Sequence, residues 1–499
     1  MEFLSNSASV ASDVIIAVFL SLLTVATIAW AIVGICKNID AQNGYGRAAF
    51  IIVFVVGLAL RIVFGLFVRG FRGDYALFTR MFDHLKTNGL NGYYTGKADS
   101  VLYPIVYFVY LIFGGLSNAT GLSDYGLAMQ FMIKLPLIAA SLLTALGVYL
   151  IAAKYFNKGV AFYLCAFVCF CPIFFIGSSI WTTPLTFTVM FACFGCYFLA
   201  RKNYSMTILF MTLAAFCSKE GIYLFPVASV FSCFHFVRSI IALKNAKSDD
   251  KISIMENRAV FAVPSAFVLS VTGVYLIGLF LMASYSYNPF VLIYEFNLKP
   301  LVGWETFTVN GLSVYTIFNQ NGSMPSARFP AWLFACIFGA IIFAVVCIVY
   351  FTKRNRATMV MLAAYAMFTM QIYYPGSTAI GFESVLLLVL AAYALVKDKR
   401  LLTVLFATGL VYVVNGITCL SVAGYLNNVG EFGFGTEQIV LTGGMSAVPI
   451  VCSIVALLMH LYFTVVAVGV GMTGQKKLLQ PAYGILNSLK EYFKIKKAD

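Results

Sequence analysis

Long apolar runs broken by short polar loops fill most of the chain. Crossing the hydrocarbon core of a bilayer takes about 20 apolar residues in an α-helix, because every backbone polar group must be satisfied within the segment. On that rule the pattern predicts helices near 14–36, 48–69, 128–153, 159–179, 183–200, 205–219, 222–238, 259–285, 330–352, 358–374, 378–397, 401–424 and 446–470. The sixth and seventh are short and read as a hairpin broken at "SKEGIY" (218–223). The alternating ten-residue pattern of an outer-membrane barrel is absent. The expected fold class is an all-α integral membrane protein, a bundle of about thirteen transmembrane helices.

Composition strengthens this reading. The 499 residues are 61% hydrophobic and only 10% charged, more apolar surface than soluble cores can hide. The net charge of +14 does not point to nucleic acid, because the basic residues fall in short loops between spans. Lys37 with Arg47, Lys154 with Lys158, and Arg201 with Lys202 are three such loops, and basic loops mark the cytosolic side. All of them face the cytosol together if the N-terminus is outside. Residues 1–475 then form one polytopic domain, with large outward loops at 70–127 and 286–329 and a basic, amphipathic cytosolic tail at 476–499. The apolar piece "VLYPIVYFVYLIFGG" (101–115) would invert every later loop if it crossed, so it is expected as a juxtamembrane or re-entrant helix on the outer side.

The twelve cysteines lie mostly inside apolar runs. Cys193 and Cys196 form a C-x-x-C with no histidine or acidic company, which reads as core. His84, His235 and His460 are too scattered for a zinc cluster. The polar chemistry gathers instead in the outward loops. "RGFRGDYALFTRMFDHL" (69–85) places Asp74 directly after a helix end, where a carboxylate can take a proton from an attacking hydroxyl. Arg69, Arg72 and Arg80 nearby suit a phosphate through planar, bidentate donors. The plainer reading of the same stretch is a cluster of membrane-edge arginines with one counter-ion. Lys219 and Glu220 stand at the hairpin break, where isolated charges are costly, either as a structural ion pair or as part of a site. Arg328 precedes the span that opens at Pro330, and Lys134 stands beside Pro136 near the outer end of its span.

Several stretches, in order, resemble GT-C superfamily glycosyltransferases, polytopic enzymes that use polyprenyl-phosphate sugars. "GDYALFTRMFDHLKTNGLNGYY" (73–94) looks like their first external loop, with an Asp just past a membrane helix. "DSVLYPIVYFVYLIFG" (99–114) is similar to their juxtamembrane helix, with Asp99, Tyr103 and Pro104 matching. "FMIKLPLIAASLLTALGVYLIAAKYF" (131–156) resembles the next span. "CPIFFIGSSIWTTPLTFTVMF" (171–191) looks like a crossing in the mannosyltransferases related to glycosylphosphatidylinositol synthesis; Trp181 matches, but Thr182, Thr183 and Pro184 replace its polar end. "AAFCSKEGIYLFPV" (214–227) and "TFTVNGLSVYTIFNQNG" (306–322) resemble two further segments, with Lys219, Pro226 and Asn310 in place. The "H-E-R-Y" feature of that branch is replaced here by "YYPGSTAIGFES" (373–384).

The resemblance implies an inverting transfer of one sugar from a polyprenyl phosphate to a hydroxyl of a cell-envelope glycan or glycolipid, outside the plasma membrane. Mannose is the sugar of the branch the motifs resemble most. On this reading Asp74 is the general base, and Arg72, Lys219, Arg328 and Lys134 bind the donor phosphate. Asp99, Tyr103, Glu220, Trp181 and Asn310 line the substrate cavity. No cofactor is required by the sequence, and a divalent metal is left undecided. Two other functions stay open: a lipid or glycan transporter or flippase, and a noncatalytic GT-C-like assembly partner.

Overall fold

The computed structural model describes residues 2–38, 45–90, 93, 102–122, 126–245, 264–273, 276, 306–323, 333, 336–342, 344–345, 356–422, 440–441 and 443–473. The fold is α-helical. The helices are α1 (Glu2–Asn38), α2 (Arg47–Phe67), α3 (Arg72–Asn88), α4 (Pro104–Thr120), α5 (Leu127–Tyr155), α6 (Lys158–Phe170), α7 (Leu185–Ala200), α8 (Tyr204–Ala215) and α9 (Phe225–Asn245). They continue with α10 (Arg356–Tyr373), α11 (Glu383–Val396), α12 (Lys399–Val422) and α13 (Ala447–Thr473). Among the described residues five stretches are long and apolar enough to cross a membrane: Asp13–Asn38, Arg47–Phe67, Leu127–Tyr155, Lys399–Ser421 and Gly444–Val470. Of the helices expected near 259–285 and 330–352, helical residues 264–273 and 336–342 are seen, and much of the remainder lies outside the described residues. The 476–499 tail lies wholly outside them.

Burial divides these helices by role. Val14, Ile15, Val18 and Phe19 of α1 and Ile51, Ile52, Val55 and Val56 of α2 are exposed, an apolar face suited to lipid. In α11, by contrast, every residue from Glu383 to Val396 is buried. A helix that is apolar all round belongs inside a bundle. It packs against α5, α7, α10 and α12, while α5 also touches α2 and α6.

The span expected over 159–179 is broken. Helix α6 stops at Phe170, a 3-10 turn covers Pro172–Phe174, and a π-turn covers Ile176–Trp181. Pro172 has no N–H to offer and disfavours a helical conformation at Cys171, which is extended. A break deep in the bundle leaves carbonyls without helical donors, tolerable only if protein groups supply them. Arg61 of α2, fully buried, donates to Cys169 O at 2.6 Å and Val168 O at 3.0 Å. Its Nε and Nη2 also reach Ser141 Oγ, which passes a hydrogen bond on to Phe174 O at 2.9 Å.

Two more side chains, one helical turn apart on α5, do the same for the end of α2. Gln130 donates to Gly65 O at 2.7 Å and Val68 O at 2.8 Å. Lys134 donates to Val68 O and, at 2.9 Å, to Ser179 O. A cation at a helix C-terminus is favoured by the helix dipole. This strut ties α2, α5 and the π-turn together directly below the first loop.

Helices α3 and α4 lie against each other and build a second apolar cluster. Tyr75, Phe78, Met81 and Phe82 meet Ile105, Val106, Tyr107 and Tyr110 over Met129, Ile133 and Leu137 of α5. The helix expected at 101–115 is therefore present as α4, with Pro104 at its first turn.

Candidate active site

The stretch from the end of α2 to Asp74 is held against the π-turn by its backbone. Gly70 takes φ +103, and a Cβ there would come within 2.6 Å of Ile180 O and 3.0 Å of Trp181 O, so only glycine fits the approach. Phe71 N donates to Trp181 O at 2.9 Å, and the Phe71 and Trp181 rings stack at 4.9 Å and 25°. Helix α3 then opens at Arg72, which puts Asp74 in its first turn, the end favourable to negative charge.

Asp74 is half-buried, and four residues from two other segments surround its carboxyl. Its pKa is pushed up to about 7, first by exclusion from water and then by the nearby Glu220 carboxylate. Hydrogen bonding to the Thr183 hydroxyl, the Lys219 ammonium and hydrogen bonding to the Trp181 indole pull the other way. A carboxyl poised near neutrality beside donors and a cation can accept a proton from an alcohol and hand it on.

Lys219 and Glu220 come from the hairpin break, where the sequence expects one. Helix α8 ends at Ala215, a 3-10 turn spans Glu220–Leu224, and α9 starts at Phe225. Gly221 packs where a Cβ would run into Ala214 O. The Ser218 hydroxyl bonds Thr188 Oγ1 at 2.9 Å and accepts from Gly221 N at 3.2 Å, fixing the break against α7. Glu220 is buried, and Lys219 reaches across to donate to Gly376 O at 3.3 Å.

That bond joins the break to the segment after α10, which in turn meets residues 306–323. Gly376 N donates to Phe307 O at 2.8 Å. Beyond it, β1 (Thr308–Val309) and β2 (Ser377–Thr378) pair in parallel, Thr308 opposite Ser377. Asn310, expected to line the cavity, is instead the knot of this loop. Its Oδ1 accepts from Asn321 Nδ2 at 2.6 Å and Leu441 N at 3.1 Å, while its carbonyl takes Asn415 Nδ2 at 2.7 Å. Buried and held at φ 50 by these bonds, it shapes the loop rather than offering a free amide to a ligand.

The structure thus brings Asp74, Trp181, Lys219 and Glu220 together, with Arg72 two residues before Asp74 in the first turn of α3. Tyr103 caps α4 and packs on the α3–α4 cluster beside them. Lys134 corrects the sequence reading. It is fully buried with its ammonium bound to two backbone carbonyls, so it braces the floor of the site rather than meeting a phosphate. Arg328 and Asp99 lie outside the described residues. Sequence reasoning passed over Thr183, whose hydroxyl faces Asp74; the signal was its place two residues past Trp181, where the resembling crossing carries polar groups. Among the described residues no group of three or more His, Cys, Asp or Glu is placed to hold a metal ion. Compared with known proteins, the chain matches no family model and no curated sequence.

Proposed function

We infer that this protein is a membrane glycosyltransferase of GT-C type, which moves a sugar, mannose by branch resemblance, from a polyprenyl phosphate to a hydroxyl of an envelope glycan or glycolipid. The observation that carries this reading is the convergence on Asp74 of Trp181, Thr183, Lys219 and Glu220, which come from two segments far apart in the chain. In the inferred reaction the acceptor oxygen attacks the anomeric carbon while the Asp74 carboxylate takes its proton. The bond from that carbon to the phosphate oxygen breaks, and the phosphate leaves with the electron pair. Lys219, and Arg72 two residues before Asp74, are the cations assigned to the charge that grows on it. The polyprenyl phosphate departs as an anion unaided, so no second acid is needed, unlike in a glycosidase. The rest of the topology belongs to the same reading: about thirteen spans, the site on the outer face of the plasma membrane and the C-terminal tail in the cytosol.

A transporter or flippase is less well supported. Arg61, buried within the long apolar helix α2, is saturated by carbonyl and hydroxyl acceptors rather than lining a path. The deciding experiment reconstitutes purified protein in nanodiscs with polyprenyl-phosphate mannose, and other polyprenyl-phosphate sugars in parallel, plus a glycolipid acceptor extract. Transfer of labelled sugar is expected. A folded protein that transfers none of the donors would leave the noncatalytic assembly partner as the better reading.

A further inference from the structure

Helix α11 opens with a buried carboxylate. Glu383 is 1% exposed, and its Oε2 has no hydrogen-bond partner among the described residues. Arg61 acts on it electrostatically but gives it no hydrogen bond, since its donors lie on Ser141 Oγ, Gly57 O, Val168 O and Cys169 O. Burying a carboxyl oxygen without a hydrogen bond is expensive, so a leucine there would be the cheaper core residue. What the carboxyl does touch is Gly177, the second residue of the π-turn. A Cβ added to Gly177 would overlap Glu383 Oε2 and lie 3.0 Å from its Cδ and 3.3 Å from Thr183 Cγ2.

Gly177 matters because the turn closes on it. Its carbonyl accepts the amide of Thr183 at 2.9 Å and that of Thr182, which is held at φ 71. Those two bonds set where Trp181 and Thr183 leave the turn, and both side chains face Asp74. We propose that Glu383 is a positioning residue: its carboxyl wedges against Gly177 and holds the 176–183 turn in the form that presents Trp181 and Thr183 to Asp74. The wedge acts by shape, so the isosteric amide should serve as well as the acid. The glycine is its necessary counterpart, since any side chain there would collide with the wedge. The structural half of the proposal stands by itself, while its catalytic consequence rests on the transferase reading above.

The test combines size exchange with two readouts. Glu383→Ala, Glu383→Gln, Gly177→Ala and the Gly177→Ala/Glu383→Ala double variant are made in a background in which Trp30→Phe, Trp304→Phe and Trp332→Phe leave Trp181 as the one tryptophan. Acrylamide quenching of Trp181, which is buried in the wild type, reports the turn without any substrate. Glu383→Ala and Gly177→Ala should each raise quenching severalfold in monodisperse protein, and Glu383→Gln should leave it near wild type. The double variant should recover much of the protection, because the added methyl fills the space the carboxyl vacates. In the transfer assay the single alanine variants should lose roughly tenfold to a hundredfold in kcat with little change in donor KM, the signature of misplaced catalytic groups.

Unchanged quenching in folded Glu383→Ala, or a double variant worse than both singles, would overturn the proposal. So would Glu383→Gln behaving like Glu383→Ala, since the effect would then belong to charge rather than shape. If the wild type transfers no sugar while the quenching pattern holds, the transferase reading fails and the positioning role survives.

Discussion

Two interruptions in the helical bundle handle charge in opposite ways. At 171–183, where Pro172 interrupts the helical run, the cations Arg61 and Lys134 are fully buried and bonded to the carbonyls of the break and of the neighbouring helix end. At 216–224 the break carries its own charges. Lys219 is only partly buried, with a single long bond to Gly376 O, and both it and Glu220 act electrostatically on Asp74. Both breaks adjoin the same site, and each is served by a lysine close in sequence to a proline, Lys134 from helix α5 at the first and Lys219 within the second. Proximity to a break therefore does not make a cation functional. Whether backbone acceptors already saturate it does.

The comparison breaks most directly at Asp74. Asp74→Asn keeps the size of the side chain but cannot take a proton, so sugar transfer should fall by roughly two to four orders of magnitude. The fold should not suffer. A carboxyl whose folded pKa is raised to about 7 binds its proton more tightly folded than unfolded, so between the unfolded value near 4 and about 7 its contribution to stability declines as pH rises. Removing it should leave the thermal midpoint at pH 8 unchanged or higher, measured on the same preparation as the transfer rate. Near-normal turnover would return "RGFRGD" to a membrane-edge cluster.

Arg61→Leu tests the other break and should show the reverse pattern. It leaves Val168 O, Cys169 O and Ser141 short of donors in a buried place. Orphaned buried acceptors cost about 1–3 kcal/mol each, partly offset because the arginine no longer has to be buried, so a net loss of about 3 kcal/mol is expected. It should appear as a lower thermal midpoint and poor recovery of monodisperse protein. A midpoint equal to wild type would mean that the break finds other donors.

Much of this was legible in the chain. The apolar periods place most described helices within a few residues, and "SKEGIY" marks its break because Gly221 and an isolated charge pair interrupt an apolar run. Asp74, Lys219, Glu220 and Trp181, which the structure brings together, are singled out by chemistry and resemblance. Lys134 could not be sorted from Lys219 by sequence, because a lysine that caps a distant helix looks the same as one that meets a ligand. The difference lies in Val68 O and Ser179 O, which are 66 and 45 residues away. Asn310 failed for the same reason, its partners being Asn321, Asn415 and Leu441. Glu383 was hidden inside a stretch noted only for what it replaced.

The finest distinction between the two breaks is electrostatic, and pH reads it. Asp74 must be ionised to act, so kcat/KM should rise with pH through about 7 and level off above it. Glu220 lifts that limb and Lys219 lowers it, while Thr183 and Trp181 favour the ionised form through hydrogen bonds. Glu220→Gln removes a negative neighbour while keeping shape, so the carboxyl at 74 should release its proton more readily and the limb should move to lower pH. Lys219→Met removes a positive neighbour and should move the limb to higher pH. Its maximal rate should also fall, since Lys219 is assigned to the leaving phosphate. Lys134→Met, the matched change at the saturated break, should leave the position of the limb unchanged in whatever protein folds, because Lys134 does not act on Asp74. Measuring kcat/KM from pH 5.5 to 9 for the three variants gives three expected directions: down, up and still. A limb that moves with Lys134 as it does with Lys219 would erase the distinction between the two breaks.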